Sequence, residues 1–497
     1  MTRKIIRNLI LGCLIFLLLF FSLGKLFNPK WNYYGNQAQT RVQSFYQQPK
    51  DSIDVLYTGA SFAYCGISPL SIYEKYGITG YVFANPSQKS YMSYYYLQEA
   101  LKTQSPSVVV YEVGTAADDS FATEGYHRKN LDYTKWSREK WDTIQLILKN
   151  CADESIKDYL FPLLRYHSRW EDLSSADFNI STDKDYYLMG TALKLTRSAA
   201  SKKAINKYHD WSSDKEASVA EMNQEYILKM KELCEKNGSS FLLLKVPSLD
   251  WSPAISDAVS KFAEENQIPF LDLNLHQEEL AIDWTTDSHD AGSHVNLLGA
   301  KKVSDYLGAY LSENYSFSNT LSNEDADHWK TSAEKFQQLL DSFSLNVSQE
   351  LSEYLSIASD ENYTVMFSLS GQADQVLSEE QRQALLSCGL TLPEAGSSDH
   401  YYAVLDGGKL IAEESGKGKL RCDLEVDPLK VRVVSGKNSV IKVNDGEYAR
   451  NTAGLNIVVY DKALQKIADS AVFTVKEDGS EHAEHTTIVL VSDDGGE

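Results

Sequence analysis

The stretch that decides the fold is DVLYTGASFAYCGISP, residues 54–69. It opens with strand-forming residues at 55–58, and this pattern stops at Gly59. Ser61 follows at the point where the strand ends. A serine in this position either caps the next helix or stands at the rim of a sheet as a nucleophile. The second interpretation requires a base and an acid elsewhere in the chain that can reach Ser61.

More strand-like segments follow, and helical patterns separate them. Several of the strands are continuous apolar runs, which is typical of parallel strands covered on both faces. Strands that alternate with helices predict a three-layer α/β/α sandwich with a parallel sheet over residues 51–315. The strand-like runs are 55–58, 81–84, 108–113, 241–246 and 270–273.

Changes in composition divide the rest of the chain into further segments. Residues 28–50 are polar and predict a stalk. Residues 115–215 lack alternation and predict a helical insertion that forms a lid or wall over the site. Residues 316–362 are polar and helical in pattern, which indicates a connector. Residues 363–497 contain short alternating strands and Asp-Gly turns, and they predict a small β-rich domain.

The N-terminus predicts a membrane anchor. Basic residues at positions 3, 4 and 7 precede an uncharged apolar run, and residues 5–27 are long enough to span a bilayer. Basic residues before the span favour a cytoplasmic N-terminus, with the bulk of the chain outside the cell. The alternatives are a cleaved signal peptide and a lipoprotein whose signal motif, LILGC, ends at Cys13. No small-x-small cleavage site follows the run, and the apolar run continues well past Cys13.

Charge and cysteine content exclude some classes of function. The chain has 48 basic and 69 acidic residues and a net charge of −21, which disfavours a nucleic-acid partner. Six cysteines are widely spaced, without the short spacings of a zinc or redox site. A disulfide framework is not expected, and the pair Cys388–Cys422 alone stays open.

One of the ten histidines has the surroundings of a catalytic base. His294 lies in DSHDAGSHVNLLGAKK, directly before the predicted last helix of the α/β region, and Asp290 precedes it by four residues. A serine nucleophile needs such a base, and the imidazole needs a carboxylate that orients it. Asp287 is an alternative partner, and a backbone carbonyl could also orient the ring. His289 beside Asp290 suggests a metal site with His294, but no further ligand set accompanies them, so we predict neither metal nor cofactor.

These two loops together resemble the SGNH (GDSL-like) hydrolase superfamily. The resemblance covers about residues 51–315, and its GASFAY and DAGSHVNLLGAKK motifs resemble a membrane-anchored envelope branch of Gram-positive bacteria, with DltD-type proteins as more distant relatives. It implies a flavodoxin-like three-layer sandwich. It also implies that Ser61 is the nucleophile, His294 the base and Asp290 the residue that orients the base.

The chain departs from the family pattern at two places. The usual aspartate position, three residues before the histidine, is Ala291 here. The glycine and asparagine that complete the family's oxyanion hole are also missing, and Ser87 stands near the expected glycine. We therefore expect an oxyanion hole formed by the backbone N–H groups of Ser61 and Ser87. A missing donor can cost roughly two to three orders of magnitude in rate.

The resemblance implies an acyl esterase or O-acyltransferase that forms an acyl-serine intermediate. With the predicted anchor, its substrates would be acyl esters of cell-wall or surface glycan, and a multi-span membrane O-acyltransferase would be a partner. The alternative is an inactive SGNH-like scaffold or a glycan-binding adhesion protein on the cell surface.

Overall fold

A five-stranded parallel sheet lies at the centre of the N-terminal unit. The computed structural model describes residues 3–29, 38–178, 188–210, 216–317, 321–370, 377–394, 397, 399–476 and 478–486. The strands are β1 (Val55–Thr58), β2 (Gly80–Val82), β3 (Val108–Glu112), β4 (Ser240–Lys245) and β5 (Phe270–Asp272). Their order is β2-β1-β3-β4-β5, the flavodoxin-like order, which confirms the predicted fold class.

Helices connect consecutive strands of this sheet, as parallel pairing requires. Val55 pairs with Gly80 on one side and with Val108 on the other. Strands β1, β2 and β3 are buried along their whole length. The helices that flank the sheet are α3 (Ser61–Gly66), α4 (Pro69–Tyr76), α5 (Ser90–Ala100), α12 (Glu221–Asn237), α13 (Pro253–Glu265), α14 (Gln277–Leu280) and α15 (Leu297–Asn314).

The N-terminal helix α1 (Arg3–Phe27) is long and apolar enough to cross a membrane. Its most apolar 18-residue window has a mean hydropathy of 2.5, and 6% of that window is buried within the protein. Most of its side chains therefore face outward, unlike those of a core helix of a soluble protein.

The stalk predicted over residues 28–50 differs from the structure. Residues 38–45 form helix α2 (Ala38–Phe45), and Val42 and Phe45 are fully buried. Arg41 is also fully buried, and its guanidinium donates to the carbonyls of Gly190 and Ala84. A polar composition indicated an exposed segment, but the buried arginine makes these residues part of the α/β unit. Residues 30–37 lie outside the described part of the chain.

The region predicted as an insertion is mostly helical where it is described. Its helices are α6 (Glu124–Leu131), α7 (Arg138–Asn150), α8 (Ile156–Leu160), α9 (Pro162–Tyr166), α10 (Ser175–Phe178) and α11 (Lys202–Asp210), with a 3₁₀ turn at His167–Glu171. Residues 179–187 and 211–215 are not described.

The C-terminal unit contains two antiparallel sheets, as the alternating pattern predicted. One sheet has four strands and the other has six. The strands are β6 (Tyr363–Ser370), β7 (His400–Asp406), β8 (Lys409–Gly416), β9 (Leu420–Val426), β10 (Leu429–Ser435), β11 (Val440–Val443), β12 (Gly446–Glu447), β13 (Gly454–Asp461), β14 (Lys466–Val475) and β15 (Glu481–His485), and helix α18 (Glu379–Ser387) lies between β6 and β7 in the sequence. Residues 487–497 lie outside the described part of the chain.

The predicted connector is helical. It contains α16 (Asn323–Val347) and α17 (Leu351–Ala358). Leu351 and Tyr354 of α17 are fully buried in the core of the C-terminal unit, so this part packs as an element of that unit. All six cysteines are free, including Cys388 and Cys422, the pair that the sequence left open.

Candidate active site

A tight turn places Ser61 at the carboxyl end of β1. Gly59 has a φ of 141°, which favours glycine, and a Cβ atom there would lie 2.9 Å from Cβ of Glu112 on β3. The chain then enters α3, whose first residue is Ser61. Among the described residues, no hydrogen-bond acceptor faces the N–H of Ser61, as is usual in the first turn of a helix.

His294 lies beside this serine. Nε2 of His294 is 2.8 Å from Oγ of Ser61. On the other side of the ring, Nδ1 of His294 is 2.6 Å from Oδ2 of Asp290. The structure thus brings the three predicted residues into one hydrogen-bonded chain, in the order that a serine nucleophile, a base and an orienting acid require.

The loop from 287 to 296 explains how an aspartate four residues away reaches the ring. Ala291 and Gly292 both have left-handed backbones, with φ of 62° and 106°, and they accommodate the additional residue. Asp290 then bonds His294 twice, because its Oδ1 also accepts the His294 backbone N–H at 2.7 Å. Oγ of Ser288 closes the loop, since it donates to the His294 carbonyl and accepts the N–H of Gly292.

Asn296 fixes the point where this loop enters α15. Its side-chain oxygen accepts the N–H groups of Leu298 and Gly299, and its amide donates to the carbonyl of Thr286 at 2.7 Å. The asparagine is therefore an N-cap, which satisfies backbone donors that a helix start leaves unpaired. Its role in this structure is to hold the loop that carries His294.

The alternative aspartate, Asp287, does not contact the imidazole. It is buried, and its carboxylate pairs with Lys302 at 2.7 Å and accepts the backbone N–H of Asp283 at 2.8 Å. Asp287 is thus a structural residue of the loop. A backbone carbonyl is not needed as the orienting group either, because Asp290 occupies that position.

Two aromatic rings stack against the imidazole of His294. The centroid of the Phe62 ring lies 4.6 Å from the centroid of the imidazole, and the centroid of the His289 ring lies 5.6 Å from it. The ring planes differ by 24° and 21°, respectively. Stacking restrains rotation of the imidazole, which the hydrogen bonds alone would permit about the Nδ1···Nε2 direction. The sequence analysis missed Phe62, and nothing in its pattern distinguishes it from a core residue.

A buried ion pair lies beneath the same turn. Nζ of Lys245 is 2.8 Å from Oε1 of Glu112, and neither side chain is exposed. Oε2 of Glu112 accepts the N–H of Gly114, and Nζ of Lys245 lies 3.6 Å from the centroid of the Phe62 ring. The sequence carried a signal for this pair, because β3 and β4 both end in a charged residue. The carboxyl ends of parallel strands meet at one edge of the sheet.

Electrostatics favour a charged Asp290 and a neutral His289. Burial opposes ionisation of Asp290, but the hydrogen bonds from His294 outweigh it and hold the pKa of that carboxyl below its usual range. Burial lowers the pKa of His289 to about 4, against the attraction of Asp290 and with a smaller contribution from Lys194. Burial also raises the pKa of the nearby Cys65 thiol to about 12, which makes it a poor nucleophile.

The predicted oxyanion donors are only partly placed. Ser87 lies in the turn after β2 and has a φ of 49°, a left-handed conformation that favours glycine. This fits the position where the family pattern has a glycine. No hydrogen bond between described residues joins Ser87 to Ser61, so its role as a donor stays a prediction.

Within the described part of the chain, two groups of side chains have ligand atoms close enough to hold a metal ion. The first is His289, Asp290 and His294, in which both nitrogens of His294 already face Ser61 or Asp290. The second group consists of His127, Cys151 and Glu154. There the two nitrogens of His127 are hydrogen-bonded to Tyr91 and Glu154, at 2.6 and 2.5 Å. In each group, both nitrogens of one histidine, His294 or His127, are thus already hydrogen-bonded.

One segment of the insertion borders the site. The N–H of Ala192 donates to the carbonyl of Tyr64 on α3. The Lys194 carbonyl accepts the N–H of Leu297, and the N–H of Ser198 donates to the carbonyl of Ser288. Residues 192–198 therefore bridge the serine turn and the histidine loop, and they form one wall of the site.

Comparisons with known proteins give only distant similarities. No family model matches the chain, and no curated protein matches it. One similar solved structure is a "putative acylhydrolase" from Bacteroides fragilis, with 14% identity and a TM-score of 0.26 over 56% of this chain and 97% of that one. Another is a GDSL-like lipase from Bacteroides thetaiotaomicron, with 13% identity and a TM-score of 0.25 over 56% and 97%. At these values the similarities concern the fold alone.

Proposed function

We propose that this chain is a membrane-anchored extracytoplasmic serine acyl esterase or O-acyltransferase that acts on acyl esters of cell-envelope glycan or polymer. The observation that carries the proposal is the 2.8 Å contact between Nε2 of His294 and Oγ of Ser61, with Asp290 on the opposite nitrogen. The proposal includes membership of the SGNH superfamily. The DltD-type likeness stays a prediction from the sequence.

The geometry supports a two-step acyl transfer. Oγ of Ser61 attacks the ester carbonyl while Nε2 of His294 takes the hydroxyl proton. The imidazolium then gives that proton to the leaving alcohol oxygen as the C–O bond breaks, which leaves an acyl-serine. In the second step His294 takes a proton from water or from a sugar hydroxyl, whose oxygen attacks the acyl carbon. The imidazolium then returns a proton to Oγ of Ser61 as the bond between Oγ and the acyl carbon breaks. Asp290 keeps the Nδ1 proton in place and stabilises the imidazolium.

The anchor supports the choice of substrate. With α1 in the bilayer and the basic N-terminus in the cytoplasm, the site would face the cell envelope. Surface glycans carry the hydroxyl groups and acyl esters that this chemistry needs. A multi-span membrane O-acyltransferase would be the partner that supplies the acyl group if the chain transfers it.

A fluorophosphonate probe tests the proposal on the full chain in detergent. Oγ of Ser61 should displace fluoride from the probe, and peptide mass spectrometry should find the phosphonyl group on Ser61. Ser61→Ala and His294→Ala should abolish labelling. Ser87→Gly is the matched control, because it keeps the backbone N–H and suits the left-handed backbone; it should retain labelling. If the natively folded wild-type chain were not labelled, the proposed enzymatic activity would be overturned, and the scaffold or adhesion alternative would be favoured.

Hydrolysis and transfer are separated by a second measurement. The full chain that reacts with the probe is incubated with an acyl ester donor, with and without a glycan acceptor. The products are identified by mass spectrometry. Free acid in both cases indicates an esterase. Acylated glycan that appears only with the wild-type serine indicates a transferase.

A further inference from the structure

The helical insertion exposes several large apolar side chains close to one another in the chain. They lie on α8, α9, α10 and the 3₁₀ turn between α9 and α10, and at position 161 between α8 and α9. A soluble surface rarely concentrates side chains of this size, and such a concentration marks a contact with a protein or a membrane. The exposed side chains are Leu160 (38%), Phe161 (39%), Leu164 (50%), Trp170 (65%) and Phe178 (60%).

These elements pack directly against the C-terminal part of α1. The ring of Phe161 lies 6.0 Å from the ring of Phe20, in an edge-on arrangement. A Cβ atom on Gly24 would lie 3.8 Å from Cβ of Leu163, an ordinary contact distance, so α9 runs close to the helix backbone. The apolar side chains of the insertion therefore continue the apolar surface of the candidate membrane span.

Arg169 fixes the position of the 3₁₀ turn along the axis of α1. Its guanidinium donates to the carbonyl of Phe27, the last residue of α1, at 2.6 Å. A cation at a helix C-terminus is favourable because carbonyl groups there lack intrahelical donors. Trp170, the next residue, thus lies near the end of the span. Tryptophan is enriched at the interface between lipid and water.

The contacts with α1 indicate how deep each of these elements would lie in the bilayer. Phe20 precedes Phe27 by seven positions, so Phe161 lies about 10 Å further along the helix axis than the Arg169 contact. Interfacial helices sink about 5–10 Å into the boundary between headgroups and acyl chains. Phe161 and Leu164 would then reach the acyl chains, while Arg169 and Trp170 would stay among the headgroups.

We propose that α8, α9, α10 and the 3₁₀ turn form a membrane-docking surface that lies on the outer leaflet beside α1. This inference rests on the proposal that α1 spans the membrane. The occupant is lipid because the surface is continuous with the apolar face of α1 and carries the exposed Trp170 at the end of the span. In place of a free stalk, docked helices attach the α/β unit to the bilayer.

Quenching of tryptophan fluorescence by brominated lipid tests the proposal. The full chain is reconstituted in phosphatidylcholine–phosphatidylglycerol vesicles, with and without bromine on the acyl chains. We compare the wild type with Trp170→Phe and with the matched control Trp329→Phe, since Trp329 is buried against Tyr73. Trp170→Phe should remove part of the quenched emission, whereas Trp329→Phe should remove only unquenched emission.

The outcomes separate the docking surface from the anchor and from the proposed chemistry. Alkaline extraction reports whether α1 holds the chain in the vesicle, and probe labelling of Ser61 reports the chemistry. A retained chain whose quenched emission is the same in Trp170→Phe as in the wild type would overturn the docking surface alone.

Discussion

The imidazole of His294 lies with Nε2 2.8 Å from Oγ of Ser61, although 233 positions separate the two residues in sequence. The contact forms because β1 ends in the turn that carries Ser61, and the loop before α15 reaches the same edge of the parallel sheet. Ligands and reacting groups collect at this edge in open α/β sheets. The two residues are therefore expected to act as a unit in any acyl transfer.

Replacing Asp290 with asparagine should leave the fold intact but slow acyl transfer. Asparagine keeps the size of the side chain, but it lacks the charge that stabilises the imidazolium and can favour the wrong tautomer of His294. We expect kcat/KM for ester hydrolysis to fall by roughly two to four orders of magnitude. The measurement is steady-state hydrolysis of a chromogenic acyl ester by the full chain.

Asp283→Asn provides the matched control for this change. Asp283 is an exposed residue shortly before this loop, and its carboxylate accepts a hydrogen bond from Thr285 and does not contact the imidazole. Its substitution should leave kcat/KM within a few fold of the wild type. Equal losses in the two variants would show that general disturbance of the loop, and not the contact with His294, controls the rate.

The strand, the serine and the histidine loop were predictable because each has a local pattern. Alternation of apolar runs and helical spacing predicted the sheet, and its edge follows from parallel topology. The four-residue spacing between Asp290 and His294 was harder. It depends on left-handed backbones at Ala291 and Gly292, and alanine gives no sign of such a conformation in the sequence.

Other features depend on tertiary contacts that no local pattern encodes. Helix α2 was predicted as stalk because its composition is polar, yet Arg41 is buried and hydrogen-bonded to carbonyls of distant segments. Stacking of Phe62 on His294 likewise depends on how the two loops meet. Of the missed features, the Glu112–Lys245 pair alone left a signal, namely a charged residue at the ends of two buried strands.

Replacing His289 with glutamine should change how stability depends on pH. Burial holds the pKa of His289 at about 4, below the value of about 6.5 in the unfolded chain. The folded state therefore resists protonation, and the wild type loses stability as pH falls from about 6.5 towards 4. His289→Gln lacks this penalty. Between pH 7 and pH 4 the stability difference should shift in favour of the variant by about 2–3 kcal/mol.

Urea unfolding at several pH values measures this shift. The loss of stacking on His294 adds a constant difference, so the slope with pH is the informative quantity. Parallel pH profiles for the wild type and His289→Gln would contradict the prediction, because they would mean that His289 is protonated equally easily in both states.

Replacing Gly59 with alanine should destabilise the turn before Ser61. The substitution forces a φ of 141° on a residue with a Cβ atom and brings that atom 2.9 Å from Cβ of Glu112. We expect a loss of about 1–3 kcal/mol from the backbone strain alone, with a further loss from the close contact. Lower thermal midpoints and weaker probe labelling should accompany it, since the turn positions Ser61.

Gly77→Ala separates the two contributions. Gly77 also has a positive φ, of 67°, but a Cβ atom there would meet no other atom within 4 Å. Its substitution should cost less than that of Gly59 and should leave labelling of Ser61 unchanged. If Gly77→Ala destabilised the chain as much as Gly59→Ala, the contact with Glu112 would contribute nothing measurable.

Removing one partner of the Glu112–Lys245 pair should cost far more than removing both charges. Lys245→Met leaves the Glu112 carboxylate buried without its cation, and breaking such a pair costs about 3–5 kcal/mol. Methionine keeps an apolar contact with the Phe62 ring, so the loss reports the charge and not the packing. In the double variant Glu112→Gln, Lys245→Met, the glutamine oxygen can still accept the N–H of Gly114. The double variant should therefore recover most of the unfolding free energy lost in Lys245→Met.

Urea unfolding of the wild type, both single variants and the double variant measures this coupling. If the losses of unfolding free energy in the two single variants simply added up in the double variant, the two side chains would contribute independently. The ion pair would then not be what stabilises the region beneath the Ser61 turn.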